Sequence, residues 1–76
     1  MLNYKDYIVS DHKIMLGKPV IKGTRITVEL ILKKLSEAVS FSQLIEMYPQ
    51  LNEIHIQAAL DYASDVISKE EILELA

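Results

Sequence analysis

Gly17-Lys18-Pro19-Val20-Ile21-Lys22-Gly23-Thr24-Arg25-Ile26-Thr27-Val28 is the stretch that decides how this chain folds. It contains both glycines of the sequence, one of its two prolines and its single arginine. Glycine supplies positive φ or close backbone approach, so Gly17 and Gly23 in one short segment imply a defined bent path. Pro19 fixes its own φ and drives Lys18 toward an extended conformation, while Val20, Ile21, Ile26 and Val28 are β-branched and suit short strands. The segment therefore reads as a rigid, basic β element that leads into a helix.

Toward the amino terminus, Tyr7-Ile8-Val9 favours a strand, Ser10-Asp11 a turn, and Ile14-Met15-Leu16 precedes Gly17, which predicts a small irregular sheet over residues 7–26. Toward the carboxyl terminus, Thr27 is placed to cap a first helix, with Val28, Ile31, Leu32 and Leu35 on one buried face. Glu29 and Lys33 stand four apart and are expected to pair, and Leu30 falls off the stripe, open to the β segment or to a second subunit. Ser40 with Gln43 forms a capping-box pattern for a second helix whose apolar residues are Phe41, Leu44, Ile45 and Tyr48, and Pro49 ends it. Asn52 then caps a third helix. Its expected buried stripe is Ile56, Ala59, Leu60, Ala63 and Ile67, widened by Ile54, Ala58, Tyr62 and Val66. Ser68 with Glu71 suggests a short terminal helix or tail over residues 68–76.

The pattern predicts one mainly α domain over residues 1–76: a β element at 7–26, a core of helices at 27–67 and the tail. A two-turn helix, a break at Tyr48-Pro49-Gln50-Leu51 and a longer helix have the dimensions of a helix-turn-helix. A chain of 76 residues buries roughly 60% of the surface its unfolded state exposes. With no cysteine and no Cys/His zinc spacing, association is the remaining staple, and a homodimer is expected. Half the residues are hydrophobic, yet no apolar run exceeds three residues, so a cytoplasmic protein without membrane contact is expected.

The net charge of −3 hides a polarised distribution. Up to Ala38, seven cations (Lys5, Lys13, Lys18, Lys22, Arg25, Lys33 and Lys34) face four carboxylates. Beyond it, Lys69 alone faces seven. Arg25 is the sharpest candidate, because its guanidinium makes planar bidentate contacts and Gly23 and Thr24 can offer backbone N–H groups to the same ligand. With Lys18, Lys22, Lys33 and Lys34 it could bind phosphates, or it could brace the β element through an internal ion pair. His55 and Gln57 are the candidate base readers on the third helix, but Glu53, Asp61 and Asp65 share its polar face and repel phosphate. No nucleophile, base and orienting group, and no metal-ligand cluster, can be assembled from the sequence, so neither catalysis nor a cofactor is expected.

The glycine-bracketed run, followed by Leu35-Ser36-Glu37 and by Tyr48-Pro49-Gln50-Leu51, closely resembles the bacterial domain-of-unknown-function family 433 over roughly Tyr7 to Ile67. The resemblance implies a homeodomain-like or winged helix-turn-helix bundle of three to four helices with a small amino-terminal β element. It also implies an antitoxin of a type II toxin–antitoxin pair, which neutralises a PIN-like ribonuclease and represses its own operon by binding operator DNA. Arg25 could then enter the carboxylate-rich metal site of the toxin. An interaction or dimerisation domain with no DNA role is the alternative. Ala38 departs from the family pattern, standing where glycine is usual and would suit a left-handed position after Glu37.

Overall fold

In the computed structural model, which describes residues 2–70, β1 (Ile8–Val9) and β2 (Val20–Ile21) form a two-stranded antiparallel sheet. Ile8 lies opposite Ile21 and Val9 opposite Val20. The sheet is smaller than the span 7–26 suggested. Ile14-Met15-Leu16 is not a strand: Met15, Leu16 and Gly17 have φ of 51°, 58° and 85°, a left-handed turn that brings the chain round to Pro19. Two of these three carry side chains, at a cost of roughly 1–2 kcal/mol each, and Leu16 is held 91% exposed.

After β2, the Thr24 N–H donates to the Ile21 carbonyl at 2.9 Å, and Gly23 has φ 82°, as the third residue of a type II turn requires. The Thr24 hydroxyl also donates to the Ile21 carbonyl and accepts from the Ile26 N–H, at 2.8 and 2.9 Å. Ile26 and Thr27 then return along the free edge of β2, with the Ile21 N–H donating to the Ile26 carbonyl. Thr27 does cap α1 (Val28–Ser36): its side chain accepts from the Leu30 N–H at 3.0 Å. The Val28 N–H, which no helical carbonyl can satisfy, donates to the Pro19 carbonyl at 2.9 Å, so turn and helix share a backbone bond.

α1 ends in a Schellman motif, with the Val39 N–H donating to the Lys34 carbonyl and the Ala38 N–H to the Leu35 carbonyl. Ala38 sits there at φ 68°. Ala38→Gly is therefore expected to raise stability by about 1 kcal/mol. The urea midpoint should rise with an unchanged slope, and a midpoint that stays put or falls would mean the alanine is unstrained.

α2 (Phe41–Met47) opens with the expected reciprocal box: the Gln43 N–H donates to Ser40 Oγ at 3.1 Å and the Ser40 N–H to Gln43 Oε1 at 2.8 Å. α3 (Glu53–Glu70) opens with a variant of that device. The His55 N–H donates to Asn52 Oδ1 at 3.2 Å, while His55 Nδ1 accepts from the Asn52 N–H at 3.1 Å, in the place usually taken by Glu or Gln. Ile21, Ile31, Leu44 and Ile56 are fully buried, one each from β2, α1, α2 and α3, and Ala58, Ala59 and Leu51 close the core around them. Leu30 packs against this cluster as well.

Burial along α3 ends sooner than its apolar pattern suggests. Val66 and Ile67 are exposed, Ile67 by 68%, and Ile54 and Leu60, earlier on the helix, are exposed as well. α3 has 18 residues against nine in α1 and seven in α2, so its facing helices are too short to cover its last turns. Ser68 caps nothing new, because α3 runs through it to Glu70 and its hydroxyl donates to the Asp65 carbonyl. The short helix expected after it lies outside the described residues. The expected Glu29–Lys33 pair is absent: Glu29 meets Lys18 at 2.9 Å, and Lys33 lies 3.9 Å from Glu37.

The amino-terminal turn Tyr4–Asp6 docks on the second half of α3. The Tyr4 hydroxyl donates to the Asp65 carboxylate, Lys69 Nζ reaches the same oxygen at 3.2 Å, and the Tyr4 ring meets Tyr62 edge-on at 5.4 Å. The Tyr4 hydrogen bond, then that of Lys69, lowers the Asp65 carboxyl below its usual value, against a smaller opposing push from desolvation. The same bond raises the Tyr4 phenol. A lowered carboxyl contributes stability above its unfolded value near pH 4 and loses it as pH falls through the folded value. A raised phenol contributes below about pH 10 and loses it as pH rises through the folded value. Tyrosine absorbance should accordingly show a late-ionising step that Tyr4→Phe removes and Asp65→Asn moves to lower pH. A step lost in Tyr4→Phe that is not late-ionising, or one that Asp65→Asn leaves in place, would rule the contact out.

Candidate functional site at the glycine-bracketed turn

The type II turn between β2 and α1 forms one wall of an open cleft of about 490 Å³, within the range of small-ligand and peptide pockets. The half-buried Val9 and Ile14 supply its apolar side, with the fully buried Val20 behind them, and Gly23, Thr24, Arg25 and Gln50 line the rest. The bond of Val28 to Pro19 and the two bonds of the Thr24 hydroxyl hold the Gly23-Thr24-Arg25 rim in place. Space beside Gly23 is open, with no heavy atom within 4 Å of where a Cβ would stand, so its φ is what calls for glycine there.

Arg25 is exposed on this rim and makes no ion pair among the described residues, so the bracing role is absent there. Lys22, on the same turn, is also exposed and without an acidic partner among them. The other predicted cations are dispersed. Lys18 is held by Glu29, Lys33 faces Glu37, and Lys34 is half-buried near the end of α1. Of the two candidate base readers, Gln57 is exposed, whereas His55 has Nδ1 occupied by its cap and its ring 6.0 Å from that of Tyr7. Exposed Glu53, Asp61 and Ser64 accompany Gln57 on α3. Pro49, just beyond the Tyr48 cap of α2, ends that helix and leads to Gln50 on the cleft.

The sequence reading missed the apolar side of the cleft and Gln50. Val9, Ile14 and Gln50 carry no local signal, because only the packing of β1 and of the α2–α3 connection brings them beside Arg25. Among the described residues no group of three His, Asp or Glu side chains could hold a metal ion, and no helix is long and apolar enough to cross a membrane.

The family model described as "Protein of unknown function (DUF433)" matches residues 8–63. The chain belongs to this family. The DUF433 match begins at the first residue of β1 and ends within α3, so it takes in the whole cleft and Arg25 but leaves out Tyr4 and Asp65. A search of curated proteins and one of solved structures each find no match.

Proposed function

We propose that this chain is the antitoxin of a type II toxin–antitoxin pair and neutralises a PIN-like ribonuclease by direct binding, with Arg25 facing the carboxylates that hold the toxin's metal. The observation that carries this reading is the exposed guanidinium on a backbone-braced rim, beside an apolar cleft and without an acid of its own among the described residues. A fixed bidentate donor suits a carboxylate cluster, and the apolar side offers a place for a neighbouring side chain. The chain itself performs no catalysis in this reading.

Autoregulation by operator binding is the second part of the proposal, and α2, the Tyr48–Leu51 break and α3 would form its helix-turn-helix. Among the described residues Lys5, Lys13, Lys22, Arg25 and Lys34 make no ion pair, and of these Lys22, Arg25 and Lys34 favour a contact there rather than through α3, whose exposed Glu53 and Asp61 repel phosphate. A homodimer in a cytoplasmic setting would double these cations. Co-expression with the product of the adjacent reading frame tests the whole: the two should co-purify, and growth arrest by the second should be relieved. No complex and no relief would overturn the antitoxin reading. If the complex binds its promoter, log affinity should fall linearly with log salt. A complex without measurable promoter binding would leave an interaction module with no DNA role.

A further inference from the structure

The cleft and the acidic end of the sequence complement each other. The cleft joins an apolar side, Val9 and Ile14, to the cation of Arg25, with Lys22 close by on the same turn. The last six residues, Glu71-Ile72-Leu73-Glu74-Leu75-Ala76, alternate between carboxylates and aliphatic side chains. We infer that the segment Glu71–Ala76 of one copy binds in the Arg25 cleft of a second copy, its aliphatic residues on the apolar side and its carboxylates on the guanidinium.

Reach favours a contact between copies. Gln50, on the cleft, stands just before the start of α3, and the segment begins at the other end of that helix. Eighteen helical residues span about 27 Å. Six residues, fully extended, span at most about 20 Å. A segment leaving Glu70 therefore falls short of the Gln50 side of its own cleft, whereas that of a neighbouring copy is unrestricted. Charge points the same way, since Arg25 and Lys22 have no acidic partner among the described residues and the segment carries two carboxylates. This self-association concerns the isolated chain and does not rest on the toxin reading, although a partner seated on Arg25 would compete with it.

Sedimentation of the full chain tests the inference. The unaltered protein should self-associate, and more weakly as salt rises. Arg25→Glu, and separately the pair Glu71→Lys with Glu74→Lys, should each weaken association about tenfold or more. An equimolar mixture of the two variants should associate more tightly than either alone, because the intact segment of one finds the intact cleft of the other and the reversed segment meets the reversed cleft. A labelled peptide of sequence Glu70–Ala76 should bind the full chain and bind Arg25→Glu about tenfold less well. Circular dichroism confirms that each variant is folded. A monomeric unaltered protein, variants that associate as it does, a mixture no tighter than its components, or equal peptide binding to both proteins would each overturn the inference.

Discussion

Ile31→Ala is expected to cost about 2–5 kcal/mol, the range for truncating a fully buried aliphatic side chain to alanine. Ile31 is completely buried in the middle of α1, within the cluster formed by Ile21, Leu44 and Ile56. A domain of 76 residues has a total stability of about 4–11 kcal/mol. The substitution thus removes a large part of the margin, and the melting temperature should fall by about 10 °C or more. Leu60→Ala is the control, because Leu60 is 40% exposed although the helical pattern groups it with the core. It should shift stability by about 1 kcal/mol or less. Thermal and urea unfolding followed by circular dichroism measures both. Equal losses in the two variants would mean that the core is not where the four buried side chains place it.

If the chain is the antitoxin proposed above, Arg25→Glu is expected to weaken binding to its toxin by about 30-fold or more, the effect of breaking a desolvated charge pair at an interface. Because Arg25 is exposed and makes no ion pair among the described residues, folding stability should change by no more than about 0.5 kcal/mol. The two readouts together separate a contact residue from a structural one. Arg25→Lys sharpens the result, since an ammonium keeps the charge but loses the planar fork, and it should fall between the parent and the reversal. Calorimetry against the purified toxin measures the affinities. Binding unchanged by Arg25→Glu would remove the guanidinium from the interface, and a loss shared equally with Lys34→Glu would point to general electrostatics instead of a specific contact.

Local chemistry made much of the fold legible. Thr27, Ser40 and Asn52 start helices because a side-chain oxygen three residues from an unsatisfied N–H is a short-range relation, and all three accept the bonds expected of them. The bent path that the two glycines imply takes the form of a type II turn at Gly23, and Ala38 holds the left-handed position that the family pattern gives to glycine. What escaped is non-local or lies against propensity. Nothing in Met15-Leu16 announces two aliphatic residues at positive φ. Helical spacing offers Lys33 to Glu29, whereas the turn at Gly17–Pro19 delivers Lys18 to it. The exposed end of α3 depends on how far its neighbours extend, which the period of its own residues does not encode. At the site, Arg25 and its turn could be read directly, but the apolar side of the cleft could not, because its residues come from three separate parts of the chain.

The Tyr4–Asp65 clamp joins positions 61 residues apart, and the core closes only around Ile56, Ala58 and Ala59. On a ribosome that makes the chain from its amino end, β1 and the amino-terminal turn emerge well before the helix they dock against. The sheet, only two residues deep per strand, has little to hold it in that interval. Folding must therefore wait for α3 to clear the exit tunnel, and until then Ile8, Val20 and Ile21 stand open to chaperones and proteases. The length of that exposed interval is set by how soon α3 follows the sheet out of the ribosome.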